Sequence, residues 1–269
     1  MDTKSRVIKL YNGSIVTTTT IIKNGTVIVR NGIIEALSEG NMKVTGATEI
    51  DVKGKYIGPG LIDNQVNGFA GISFSLGGSQ LSEGGIEIAT RELWKKGVTT
   101  YLPTLTTNSQ EILVKNLTQL AKSADNIELM GSIPGFHLEG PYINPEDGYC
   151  GAHPKRFVRL PDWNEFMELY KASGQKILQI TLAPEMNGAL DFISKCNQHG
   201  IVVALGHHNA SAEIVTEAVN RGAIIATHFG NGVANMIGLS PGGAMLTFTE
   251  PSGRFSQACC LAVLSDVPV

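Results

Sequence analysis

Over the first 55 residues, short runs of apolar and β-branched side chains alternate with polar ones at the two-residue spacing of strands. Residues 7–11, 14–18, 26–30 and 33–37 carry this pattern. Asn12-Gly13, Asn24-Gly25 and Asn31-Gly32 punctuate it and predict hairpin turns, because Asn and Gly tolerate positive φ. Residues 1–55 are therefore expected to form a small β-sandwich-like domain, or the first part of one.

From Tyr56 the rhythm changes. Apolar runs at 56–62, 99–103, 132–138, 177–183, 201–205 and 223–227 predict strands. Between them, 85–96, 110–123, 163–172, 189–199 and 212–221 repeat at helical spacing. Such alternation predicts an α/β architecture with a parallel sheet over residues 56–269. Polar residues gather where the strands end: Asp63-Asn64-Gln65, Thr104, His137, Glu139, Glu185, His207-His208-Asn209 and His228. Chemistry at the C-terminal ends of every strand favours a (β/α)8-type TIM barrel over a doubly wound sheet, whose sites collect at one switch point. Six strand–helix units are legible where a barrel has eight, so the barrel is expected to be incomplete at its C-terminal end.

Composition narrows the function without redirecting it. With 42% hydrophobic and 17% charged residues and a net charge of −3, nothing suggests a nucleic-acid-binding or polybasic membrane surface. No apolar run reaches the roughly 18 residues of a spanning helix, and the polar start of the chain does not read as a secretory signal. Cys150, Cys196, Cys259 and Cys260 lack zinc-type or redox-type spacing, which predicts reduced thiols and a cytoplasmic protein.

Three of the strand-end residues form a coherent set. Glu139 follows the strand at 132–138, His207 the strand at 201–205, and His228 closes the run at 223–227. Taken singly, each reads as an ordinary capped or hydrogen-bonded loop residue. Together at one end of parallel strands, a carboxylate and two imidazoles suit zinc or a neighbouring divalent ion, and three ligands leave a position open for water.

The motif Tyr56-Ile57-Gly58-Pro59-Gly60-Leu61-Ile62-Asp63 resembles the first-strand signature of the amidohydrolase superfamily. Asp63-Asn64-Gln65-Val66-Asn67-Gly68, His137-Leu138-Glu139-Gly140-Pro141, Gly206-His207-His208-Asn209-Ala210 and Ala226-Thr227-His228-Phe229-Gly230-Asn231-Gly232 are similar to the N-acetylglucosamine-6-phosphate deacetylases within it. Most amidohydrolases carry His-x-His in the first of these; Gln65 and Asn67 stand there instead. The resemblance implies a single divalent metal ion, zinc first with iron, cobalt or manganese as alternatives, held by Glu139, His207 and His228. It implies hydrolysis of the acetamide of N-acetylglucosamine 6-phosphate to glucosamine 6-phosphate and acetate by a metal-activated water, in amino-sugar catabolism. It also implies that His153, in Gly151-Ala152-His153-Pro154, binds the sugar or its acetyl group, that Asn231 and the Gly232 backbone bind the phosphate, and that the protein forms a homodimer. Arg254 is a weaker match to a phosphate-binding Arg, and His199 and His208 receive no role.

The resemblance fades after Asn235. The family's catalytic Asp ends the eighth strand, and Asp266 is the one candidate for it in the terminal apolar run, although that segment reads better as the approach to a seventh strand. The chain alone is accordingly expected to release little acetate. Two other classes stay open: an amidohydrolase acting on a cyclic amide or dipeptide, and a catalytically dead relative or fragment that only binds a sugar phosphate.

Overall fold

The computed structural model describes residues 6–78 and 81–228, together with the strand segments 236–237, 246–247 and 262–263. The chain divides into two compact units, Met1–Gly60 and Leu61–Val269.

The first unit is one five-stranded sheet. Strands β1 (Val7–Val16), β2 (Ile21–Arg30) and β3 (Ile33–Glu39) are antiparallel neighbours, while β4 (Thr48–Asp51) and β5 (Tyr56–Ile57) pair parallel to β1. Only Asn31-Gly32 makes the expected tight turn, with φ of +52° and +83°. The other two Asn-Gly pairs lie inside β1 and β2, where the register slips on either side of the Gly13–Gly25 pair. A positive φ at Asn12 (+59°) and Asn24 (+49°) is thus used for bulges rather than reversals, and the predicted strands at 7–11 and 14–18 merge into one bent strand that ends at Val16. The predicted strand at 56–62 also divides: Tyr56–Ile57 pairs with β1, and a new strand begins at Leu61, after Pro59-Gly60.

The second unit is a curled, half-barrel sheet of six parallel strands, with helices between successive strands. In chain order these are β6 (Leu61–Val66), then the small hairpin β7 (Gly68–Phe69) and β8 (Ile72–Ser73), α1 (Glu83–Lys95), β9 (Val98–Thr106), α2 (Gln110–Ala124), β10 (Phe136–Glu139), α3 (Trp163–Ala172), β11 (Ile177–Leu182), α4 (Ala189–Gln198), β12 (Val202–Leu205), α5 (Ala212–Asn220) and β13 (Ala223–Ala226). The sheet order β6-β9-β10-β11-β12-β13 follows the sequence. Beyond it, β14 (Met236–Ile237) pairs with β15 (Leu246–Thr247), and β16 (Ala262–Val263) lies antiparallel to β13.

Side-chain caps start four of the five helices. Ser82, Ser109, Asp162 and Ser211 each accept the backbone N–H three residues on, satisfying a donor the helix itself leaves open. The amphipathic faces of the helices then close on the sheet. Ile86, Leu93, Leu113, Leu117, Phe166 and Phe192 pack with Leu105, Leu138 and Ile180 in one continuous core. Strand β10 is buried on both faces, and so is β11 apart from Leu178 near its start, as befits the middle of a parallel sheet. The sheet therefore presents the ends of its strands, rather than a face, to chemistry. Among the described residues no helix is long and apolar enough to cross a membrane.

Candidate metal centre

Register builds the site. His137 pairs with Thr104 on β9 and with Gln179 on β11, and Glu139, two residues on, pairs with Thr106 and Thr181. Residues two apart on a strand share a face. His137 and Glu139 thus form successive layers, with Glu139 at the C-terminal end.

The lower layer is polar and closed. His137 Nε2 and Thr181 Oγ1 lie 2.7 Å apart, and Thr181 Oγ1 and Thr227 Oγ1 are also 2.7 Å apart. Gln179 Nε2 sits 3.3 Å from His137 Nε2, and its Oε1 accepts a hydrogen bond from Asn64 Nδ2. This chain of contacts runs between β6, β10, β11 and the end of β13. Burial drives the His137 pKa down from 6.5 to about 4, with the Glu139 carboxylate opposing.

Above it, the ligand atoms of Glu139, His207 and His228 lie within 4.8 Å of one another. His228 Nε2 is 2.9 Å from Glu139 Oε1 and 3.0 Å from His207 Nε2, and His207 Nε2 is 3.2 Å from Glu139 Oε1. Burial raises the Glu139 pKa, but the facing His207 and His228 rings outweigh it and hold the carboxyl well below the usual range. The second nitrogen of His207, Nδ1, lies 2.8 Å from the Tyr149 carbonyl, which only accepts, so Nδ1 carries the proton. In a neutral ring, Nε2 then turns an electron pair towards Glu139. Electron-pair donors converging on one point repel unless a cation sits between them. Tetrahedral ligation at about 2 Å spaces neighbouring ligand atoms about 3.3 Å apart, close to the triangle seen here. The donor set therefore fits a divalent ion.

His153 stands beside the triad, buried, with its Nε2 3.9 Å from Glu139 Oε1 and its ring centroid 4.4 Å from that of His207. Its Nδ1 accepts the Thr107 backbone N–H (3.3 Å) and lies 2.8 Å from Thr107 Oγ1. The ring proton consequently sits on Nε2, the nitrogen nearer Glu139. Burial also lowers the His153 pKa, to about 4, so the ring meets its surroundings as a neutral donor. Gly140 makes this approach possible. Its φ is +79°, and a Cβ there would fall 2.2 Å from Thr107 Oγ1.

At the position of the usual His-x-His, Gln65 is buried and its backbone N–H is bonded to Asp63 Oδ1. Asn67 Oδ1 is buried without a hydrogen-bond partner among the described residues. His208 lies near Glu185, while His199 caps α4 through its Nδ1 contact with the Lys195 carbonyl and packs against Trp163. Asn231, Gly232, Arg254 and Asp266 lie outside the described residues.

Several neighbours were not singled out in the sequence. Thr107, Asn144 and Tyr149 act from loops, partly through backbone atoms that carry no sequence signal. Gln179 and Thr181 did leave one, as polar residues two apart in the otherwise apolar strand Ile177–Leu182.

Known proteins resemble this chain in sequence and in fold. The zebrafish (Danio rerio) N-acetylglucosamine-6-phosphate deacetylase is 34% identical over 209 residues, covering 76% of this chain and 51% of that protein. The Haemophilus influenzae protein of the same name is 31% identical, covering 84% and 57%. The chain spans about half the length of the curated relatives it matches. Among solved structures, the Pasteurella multocida N-acetylglucosamine-6-phosphate deacetylase superposes with a TM-score of 0.74 at 28% identity, covering 88% of this chain and 59% of that one. The Mycobacterium smegmatis enzyme gives 0.74 at 27%, covering 84% and 61%. The sequence profile described as the amidohydrolase family matches residues 56–239, well over half of the chain, and on that extent the chain belongs to the amidohydrolase family.

Proposed function

We propose that this chain carries the metal-binding part of a deacetylase that hydrolyses the acetamide of N-acetylglucosamine 6-phosphate to glucosamine 6-phosphate and acetate. The observation that carries this reading is the convergence of Glu139, His207 and His228 within 4.8 Å, in a chain 34% identical to a deacetylase of that name. The six-stranded sheet is read as part of a (β/α)8-type barrel, whose strand ends are the customary seat of such chemistry.

Glu139, His207 and His228 would hold one divalent ion, zinc first among those their chemistry suits. When bound, the ion supplies Lewis acidity to a carbonyl and lowers the pKa of a water. Residues of the chain provide the rest. His153 offers its Nε2–H to the acetyl oxygen or a sugar hydroxyl, and Thr107 fixes that proton by accepting none at Nδ1 and donating instead. Gln65 and Asn67, neutral amides, leave the neighbouring position without the imidazoles a second ion would require. Asn231 and the Gly232 backbone would contact the phosphate, since backbone N–H groups of glycine-rich sequences can bind anions. Asp266 is the remaining candidate for carrying a proton to the departing amine. A cytoplasmic homodimer is the setting this reading expects.

The test is ion content together with ligand recognition. Ion-loaded protein should bind N-acetylglucosamine 6-phosphate more tightly than N-acetylglucosamine, with little acetate released from either by the 269-residue chain alone. Ion binding with equal affinity for both sugars would overturn the phosphosugar assignment, and a chain that binds no divalent ion would overturn the whole reading.

A further inference from the structure

His207 has a left-handed backbone, with φ of +54°. A residue with a side chain keeps such a conformation only when its surroundings hold it, at a cost of order 1 kcal/mol or more. The groups that hold His207 can be named. Its carbonyl accepts the Asn144 backbone N–H at 3.0 Å. Its ring is anchored at Nδ1 by the Tyr149 carbonyl. Two residues on, the Asn209 N–H is taken by Glu185 Oε1 at 2.6 Å, and the same oxygen accepts Asn144 Nδ2 at 2.9 Å. Asn144 Oδ1 accepts the Glu146 N–H at 2.8 Å, which ties the arrangement to the loop carrying Tyr149.

We infer that Glu185 is a positioning residue for His207: one carboxylate oxygen, acting with Asn144, clamps the turn at 207–209 so that His207 Nε2 faces Glu139 and His228. Glu185 lies just past the end of β11, between the strands that carry Glu139 and His207, so it bridges the loops of both neighbours. The other oxygen, Oε2, is buried without a hydrogen-bond partner among the described residues. The clamp is therefore the work of Oε1 alone. A glutamine, which keeps an acceptor of the same reach, should preserve it.

This inference rests on the reading of His207 as an ion ligand, and the experiment separates the two. Zn2+ affinity of the full 269-residue chain is measured by competition, and the visible absorption of the Co2+-loaded chain reports ligand geometry. Outer contacts of metal-binding histidines typically govern affinity by about 10- to 100-fold. Glu185→Ala should weaken Zn2+ binding by that factor and alter the Co2+ spectrum while the circular dichroism stays native. Glu185→Gln should stay close to the parent in both. A folded Glu185→Ala chain with parental Zn2+ affinity would overturn the inference, as would Glu185→Gln losing as much as Ala. If Glu185→Ala does not fold, Asn144→Ala decides, with unchanged affinity counting against the clamp. His207→Ala is the control. If it binds Zn2+ as well as the parent, or if the parent binds none, the ligand assignment has failed rather than the clamp.

Discussion

At the scale of single residues, the triad and the polar layer beneath it respond to different perturbations. His207→Ala and His228→Ala should each abolish tight ion binding, whereas Gln65→Ala should retain about one equivalent, as a three-ligand site requires. Calorimetric titration with Zn2+ checks this, and two tight equivalents would contradict it. His137 is the residue to watch in acid. The folded chain holds it neutral to about pH 4, while in the unfolded chain it takes a proton near 6.5. A depressed base stabilises the fold above 6.5, and that stability is lost as the pH falls towards 4. In chelator-treated protein His137 should contribute about 2 kcal/mol to the fall in unfolding free energy, read from urea titration, between pH 7 and pH 5. The drop should be smaller in His137→Gln, and equal slopes in the two proteins would assign the acid sensitivity elsewhere.

At the scale of elements, sequence and structure can be compared piece by piece. The helix spanning Trp163–Ala172 was legible to the residue, because Asp162 caps it and an apolar stripe defines its inner face. The other four helices fall within two residues of expectation at each end for the same reasons. Two Asn-Gly pairs misled, since the positive φ that closes a hairpin also serves a bulge, and only pairing across the sheet distinguishes them. Glu139, His207 and His228 were legible because each follows an apolar run. The Asn144–Glu185 clamp was not, since it joins three loops through contacts without periodicity. Caps and core of α2 give a calibrated check. Ser109→Ala should cost about 1 kcal/mol. Leu117→Ala, which empties a fully buried position, should cost about 2–5 kcal/mol. Chemical denaturation measures both, and a costlier cap than core substitution would contradict the packing described.

At the scale of the whole molecule, the putting together of three ligands from β10 and the ends of β12 and β13 links ion binding to the integrity of the sheet. An ion that binds only the folded chain adds about 2.7 kcal/mol at one hundred times its dissociation constant. Thermal unfolding of residues in the second unit should therefore move upward with Zn2+ concentration and return on chelation, while His228→Ala should show little response. A melting temperature independent of Zn2+ in the parent would argue against the site. The strand order carries a further consequence, for synthesis. Because β6, β9, β10, β11, β12 and β13 neighbour one another in the order in which they leave the ribosome, each new strand meets a partner that has already emerged. Glu139 appears first, His207 next and His228 last, so a nascent chain passes through stages with one and then two of the three ligands. The full three-ligand affinity for an ion is thus expected only once His228 has emerged and β13 has joined the sheet.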